Sequence, residues 1–280
     1  MTTTRTAQEL WALGDYDRVA ALIADQGRAL VAAAQVGPGM RVLDVGAGSG
    51  YAALPAAATG AEVVATDVAP ELMEIGKQHA RDRGLTLRWQ VADAEKLPFA
   101  DGEFDAVLSC IGAMFAPDQS AAARELLRVC RPGGTVTMAN WMPDGAVGRF
   151  FRLVSRYHPA SGDGPPPIAW GDPEHATALL HGAEVRTEPR RVQIDFSGPP
   201  DALAAHYLRY FPPLVATVAD LDSTRAAEFE RELVEFFTDL DTGPVGGPPS
   251  YAYEYLLVSA RLPARTAVRR APARPPAAAR

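Results

Sequence analysis

Residues 41–50, Arg-Val-Leu-Asp-Val-Gly-Ala-Gly-Ser-Gly, constrain the fold of this chain more than any other stretch. An apolar run of β type carries an acid, Asp44, near its end and then breaks into a loop with glycine at 46, 48 and 50. Lacking Cβ atoms, these positions let the backbone turn sharply and lie close against a ligand. Small helix-forming residues follow from Tyr51, so the loop joins a strand to a helix N-terminus. That join, at the carboxyl end of a parallel strand, is where open α/β sheets bind nucleotide-type ligands.

The rest of the first half keeps the same rhythm. Strands are predicted at 41–45, 62–67, 86–91, 104–110 and 135–141, with helices at 51–59, 70–83 and 119–130 between them. Asp67-Val-Ala-Pro70 caps the second of these helices, with Pro70 at its first position. Strands and helices alternating at this spacing specify a parallel sheet with right-handed crossovers. Before it, helices are expected at 6–13 and 16–34, the latter with Val19, Leu22, Ile23, Leu30 and Val31 at helical spacing. After residue 141 the rhythm loosens. Helices are expected at 146–158, 173–181, 200–210 and 223–240, a strand within 184–196 that Pro189 must bend or end, and a closing strand at 251–260.

Charge narrows the partners. The chain of 280 residues has a net charge of −7, but residues 261–280 hold six arginines and no acid. The other 260 residues carry 21 basic against 34 acidic groups, a net of −13. An acidic body lacks the clustered lysines and arginines that phosphate contacts require, so no nucleic-acid partner is expected. The Pro-Ala-Arg segment 263–280 has no hydrophobic periodicity and reads as a disordered, solvated tail. No apolar run spans a bilayer and the first residues lack an apolar leader, so the expectation is a cytoplasmic protein with no membrane partner. Cys110 and Cys130 are too few for a disulfide framework, and His175 and His181, six residues apart, are off one helix face, so no metal is expected.

Four features fall at the ends of four consecutive strands: the glycines at 46–50, Asp67, Asp93-Ala94 and Ser109-Cys110. A carboxylate at Asp67 can accept both hydroxyls of a ribose and would repel a 2′-phosphate, while Asp93 can accept from the exocyclic amine of a purine. Each alone has a plain structural reading as a turn or a helix cap. Their joint order at crossover spacing points to one cofactor site.

These motifs resemble the class I S-adenosylmethionine-dependent methyltransferases. The resemblance rests on Val42-Leu-Asp-Val-Gly-Ala-Gly-Ser-Gly50, Asp67, and Val91-Ala-Asp-Ala-Glu-Lys-Leu-Pro-Phe99. It extends through Asp101-Gly-Glu-Phe-Asp-Ala-Val-Leu108 and Leu127-Arg-Val-Cys-Arg-Pro-Gly-Gly-Thr135. The chain is similar to the branch related to ubiquinone and menaquinone biosynthesis (type 11), over about residues 35–141. The resemblance implies a doubly wound, mostly parallel, seven-stranded Rossmann-like α/β sheet. Helices of residues 1–36 would lie over the cofactor, and 37–262 would form the methyltransferase domain. Insertions after strands five and six, about 142–182 and 197–250, would form a helical cap.

It also implies S-adenosyl-L-methionine as cofactor, S-adenosyl-L-homocysteine as product, and these residue roles. Asp44 and the backbone of Gly46, Ala47, Gly48 and Gly50 would hold the methionine moiety. Asp67, with Val68 beside it, would hold the ribose, and Leu72 would pack on the adenine. Asp93 and Ala94 would meet the adenine amine and ring edge, Ser109 and Cys110 would line the floor, and Trp11 and Tyr16 would cover the site. A nicotinamide dehydrogenase would need a third glycine where Tyr51 stands. The Asn-Pro-Pro-Tyr type of motif found in nucleic-acid methylation is absent after strand four.

Methyl transfer from a sulfonium is an in-line displacement with an activated leaving group, so alignment and exclusion of water dominate and a base is needed only by some acceptors. No nucleophile motif surrounds Ser109. His158 and His206, in the two cap segments, are the candidate bases. Met114, Phe115, Trp141, Tyr207 and Tyr210 are candidate acceptor contacts, implying a small, fairly apolar or aromatic acceptor. The alternatives are a peptide or protein side-chain methyltransferase and a silent S-adenosylmethionine-binding protein. A monomer or homodimer is expected.

Overall fold

The computed structural model describes residues 5–158 and 164–264. The expected basic tail beyond residue 264, and residues 161–163 of the proline-rich loop, lie outside them. Seven strands, β1 (Arg41–Val45), β2 (Glu62–Asp67), β3 (Arg88–Val91), β4 (Phe104–Cys110), β5 (Cys130–Trp141), β6 (Glu184–Gln193) and β7 (Ala252–Arg261), form one sheet in the order β3-β2-β1-β4-β5-β7-β6. β1 is central because Val42, Leu43 and Val45 are apolar on both faces and buried, the pattern of a strand covered on both sides. It pairs in parallel with β2 and β4. β2 pairs in parallel with β3, and β4 with β5. β7 runs antiparallel between β5 and β6. β6 is therefore parallel to β5, and every strand except β7 ends at one edge, where the functional loops collect.

Three local readings are corrected. β5 begins at Cys130, opposite Phe104, with a register shift before Ala106 pairs with Thr135. The Arg-Pro-Gly-Gly segment is thus an irregular start to the strand, and the helix before it, α6 (Gln119–Val129), ends one residue early. Pro189 neither bends nor ends β6, which pairs with β7 without interruption from Glu184 to Gln193. β6 is the outer strand, where every second N–H points away from the single neighbour, and a missing donor there is tolerated. The helix expected at 16–34 is broken into α2 (Tyr16–Ala20), a 3₁₀ turn at 21–23 and α3 (Ala24–Ala33).

The remaining helices are α1 (Ala7–Trp11), α4 (Ala53–Ala58), α5 (Pro70–Asp82), α7 (Ala146–Tyr157), α8 (Pro173–Leu179), α9 (Pro200–Tyr210), α10 (Pro212–Ala219) and α11 (Ser223–Leu240). α10 has no counterpart in the sequence reading. Pro212 and Pro213 end α9 yet open a new helix, since a ring at the first positions displaces no hydrogen bond. α11 buries Phe229, Leu233, Phe237 and Leu240, a helical stripe. With α7 and α9 it closes an aromatic core in which Phe150 lies 5.8 Å from Tyr207 and 5.9 Å from Phe211 and Phe236, centroid to centroid. Each such side chain stabilises the cap by roughly 1.5–3 kcal/mol through burial. The segments between β5 and β6 and between β6 and β7 thereby share one core above the carboxyl edge.

Candidate functional site

A cavity of about 210 Å³ opens at that edge, walled by the loops after β1, β2, β3 and β4 and roofed by α1 and α2. Its base is a close approach of two backbones. Gly46 has φ +68°, and a Cβ there would sit 2.6 Å from the Cα of Gly112 in the loop after β4. Only glycine at both positions lets these loops touch. Ser109 braces the junction from behind: its hydroxyl donates to the Val45 carbonyl at 2.8 Å and accepts from the Ala113 N–H at 2.8 Å. Gly50 also stands behind the wall, its φ of +93° needed where a Cβ would come 2.8 Å from the Trp89 ring. Neither Ser109 nor Gly50 lines the cavity.

Two buried carboxylates define the polarity. Asp67 accepts from the Gly48 N–H at 2.8 Å through Oδ2 and from the Ala69 N–H at 2.9 Å through Oδ1, tying the glycine loop to the end of β2. Burial raises its pKa, and the two N–H donors pull in the opposite direction. Asp44 lies deeper. Neither of its carboxylate oxygens meets a described residue in hydrogen-bonding geometry, and burial pushes its pKa up to about 7 against the weaker pull of the Ala53 N–H. Asp93 is at the exposed rim, accepting from the Glu95 N–H at 2.9 Å in a tight turn. Asp44, Asp67, Asp93 and Glu95 line the cavity, and among the described lining residues none is Lys, Arg or His. An uncompensated buried carboxylate is costly unless a cationic ligand meets it.

The roof is aromatic. Trp11 packs edge-on against Tyr16 at 5.1 Å and against Phe115 at 5.0 Å. α1 is held for this by a capping box in which Thr6 and Glu9 satisfy each other's backbone N–H. α3 approaches so closely that a Cβ on Gly27 would collide with the Tyr51 carbonyl. Val68, Leu72, Ala47, Ala94 and Cys110 complete the wall. Burial pushes the Cys110 thiol pKa up.

Beyond Tyr16, Ile23 and Phe115, which belong to both, a second chamber of about 30 Å³ runs toward the cap. Trp141, Phe150, Phe151, Tyr207, Phe211 and Tyr253 line it. Trp141 and Tyr207, expected at the acceptor position, therefore lie in this inner chamber and off the main cavity wall.

The other expected residues fall elsewhere. Met114 is fully buried in the core, because the loop after β4 turns back through a short 3₁₀ segment. Tyr210 sits on the outer side of α9, with the Arg18 and Arg209 guanidinium groups over its ring. His206 is half-buried, its Nε2 3.1 Å from the Arg18 carbonyl. His158 lies 3.6 Å from Asp220, which also binds Arg5 at 3.3 Å. Neither histidine lines either cavity, so both expected bases are displaced from the site. His79, read as a surface residue, instead places Nε2 3.0 Å from Asp17 and ties α5 to α2. Ile111 and Gly112, in the apolar stretch 111–115 expected near the sheet edge, line the cavity, and Tyr51 and Ile23 line it without having been expected there.

Comparison with known proteins agrees with this geometry. The family model described as a methyltransferase domain matches residues 43–138. An uncharacterized protein of Mycobacterium tuberculosis is 43% identical over 92% of this chain and 95% of its own length. The demethylmenaquinone methyltransferase of Thermus thermophilus is 42% identical over 40% of this chain and 53% of its own length. Among solved structures, the YcgJ protein of Bacillus subtilis shares the fold with a TM-score of 0.58 at 20% identity, covering 85% of this chain and 98% of that one.

Proposed function

Since the chain belongs to the S-adenosylmethionine-dependent methyltransferases, in their type 11 branch, and is an enzyme of that kind, we propose that it methylates a small, fairly apolar or aromatic molecule. S-Adenosyl-L-methionine would bind in the cavity at the carboxyl edge. The observation that carries this reading is the orphaned, buried Asp44 beside Asp67, in a cavity whose charged lining among the described residues is wholly acidic. S-Adenosylmethionine brings an ammonium and a sulfonium, which such a site stabilises, and its carboxylate would meet backbone N–H groups of the glycine loop.

When bound, the cofactor supplies a methyl group on a positively charged sulfur, an activated leaving group. The chain's own residues do the rest. Asp44 would pair with the ammonium, Asp67 would take the ribose hydroxyls, Leu72 would pack on the adenine and Ala94 would meet its ring edge. Trp11, Tyr16 and Phe115 exclude water above the reacting centre and limit the approach to it, which raises the rate through alignment. The enclosed, aromatic inner chamber supports a small acceptor over a peptide side chain. No nucleic-acid partner is proposed, given the acidic body, and the place of action proposed is the cytoplasm.

Calorimetric titration with S-adenosyl-L-homocysteine tests the reading. The wild-type protein is expected to bind it, and Asp67→Ala to weaken binding at least tenfold, from the loss of two charge-assisted hydrogen bonds. Unchanged affinity in that variant would overturn the ribose assignment.

A further inference from the structure

The inner chamber has a chemical bias that the apolar description leaves out. Among the described residues its lining contains no carboxylate, no histidine, no lysine and no arginine. The side chains in its lining that carry a polar group are Tyr16, Tyr207, Tyr253 and Trp141. Tyr253 donates its hydroxyl proton to the Tyr207 oxygen at 3.0 Å. That bond uses an acceptor site on Tyr207 and leaves the Tyr207 proton to be given elsewhere. A donated bond also strengthens the recipient as a donor. Tyr16 stands where the two cavities meet, with Cys110, Asp67 and Tyr207 as the acidic groups that press on it.

We infer that this chamber receives the reacting end of the acceptor as an oxygen that is already ionised, a phenolate or carboxylate on an apolar body, held by the hydroxyl protons of Tyr207 and Tyr16 with Tyr253 positioning Tyr207. The inference rests on the methyltransferase reading and deepens it. Three observations support it. The Tyr207 hydroxyl, which accepts from Tyr253, still has its own proton to give, so that Tyr207 and Tyr16 can both donate to an acceptor oxygen. Burial pushes the Tyr207 hydroxyl pKa up to about 12 and that of Tyr253 well above its ordinary value, so both stay protonated donors and neither is a base. Finally, the volume of about 30 Å³ suits the few atoms around a reacting oxygen rather than a whole substrate.

The chemistry then balances without a protein base. A lone pair of the acceptor oxygen forms the new O–C bond as the C–S bond breaks. The sulfur keeps the bonding pair, no proton is released, and an anion and a sulfonium become two neutral centres. In a chamber of low polarity, that cancellation of opposite charges is favourable.

The test uses 4-nitrophenol, whose ionised form absorbs visibly, and 4-nitroaniline as a neutral analogue of the same shape. Each is titrated into the full-length protein loaded with S-adenosyl-L-homocysteine, whose binding is first verified by calorimetry for the wild type, Tyr207→Phe and Tyr253→Phe. The bound nitrophenol is expected to keep the phenolate band and to bind at least tenfold more tightly than the nitroaniline. Tyr207→Phe should weaken phenolate binding about tenfold or more, and Tyr253→Phe should weaken it less, both with homocysteine-product binding unchanged. Loss of the phenolate band on binding, equal binding of the nitroaniline, no binding of either probe, or an unaffected Tyr207→Phe would each overturn the assignment. A wild-type protein that fails to bind S-adenosyl-L-homocysteine would overturn the methyltransferase reading itself.

Discussion

Asp44 and Asp67 stand one strand apart on the same edge, yet their surroundings make them different groups. Asp67 has two backbone N–H partners, whereas Asp44 meets none of the described residues in hydrogen-bonding geometry and is pushed up to about 7. A carboxyl whose folded pKa exceeds its unfolded one favours folding while protonated. That contribution is fully present below about 3.8 and is lost as pH rises through about 7. Asp44→Asn should therefore make the ligand-free protein more stable than wild type at pH 8, by about 2–4 kcal/mol. The advantage should shrink toward pH 4, as read by urea unfolding at the two pH values. The same substitution should weaken S-adenosyl-L-homocysteine binding above pH 7, where ionised Asp44 faces the ligand's ammonium. A variant more stable and also tighter-binding at pH 8 would contradict the role given to Asp44.

At the level of elements, the site depends on α3 lying directly on the start of the helix after the glycine loop. Gly27 makes this possible: any Cβ there meets the Tyr51 carbonyl. Gly27→Ala on an exposed helix would be stabilising by propensity, but here the overlap must dominate. The expected outcome is a loss of about 2 kcal/mol or more in urea unfolding, with weaker product binding because Tyr51 lines the cavity. β6 shows the opposite case, in which a local signal carried less weight than its place in the fold. Pro189 read as a break because proline removes a ladder donor. The outer position of β6 made that donor dispensable, and nothing within 184–196 states that the strand is outermost.

For the whole molecule, the two cap segments and the N-terminal helices meet over the sheet edge, so binding there couples many elements. S-Adenosyl-L-homocysteine at a hundred times its dissociation constant should stabilise the fold by about 2.7 kcal/mol. In a chain of this size that raises the melting temperature by about 5–8 °C. Thermal melts with and without the ligand check this, with NAD as the control expected to shift nothing. The aromatic core of Phe150, Tyr207, Phe211, Phe236 and Phe237 gives the cap one cooperative body, so the same melts should show a single transition.

The alternation of strands and helices, the glycine loop and the acids at 44, 67 and 93 were legible from local order alone, because they obey short-range rules of periodicity, turn geometry and capping. Those rules act within a few residues and survive without knowledge of the fold. The chamber under the cap was not legible in this way. Tyr16, Tyr207 and Tyr253 are far apart in the chain, and only packing of the cap against β5 and β7 brings them to one chamber. The same packing sends His158 and His206 outward, though by residue type they were the obvious bases. Which side chains share a chamber is set by long-range contacts, whose partners no local pattern names. The linear chain therefore determined the edge that carries the glycine loop and the acids, and only the tertiary structure decided what faces it.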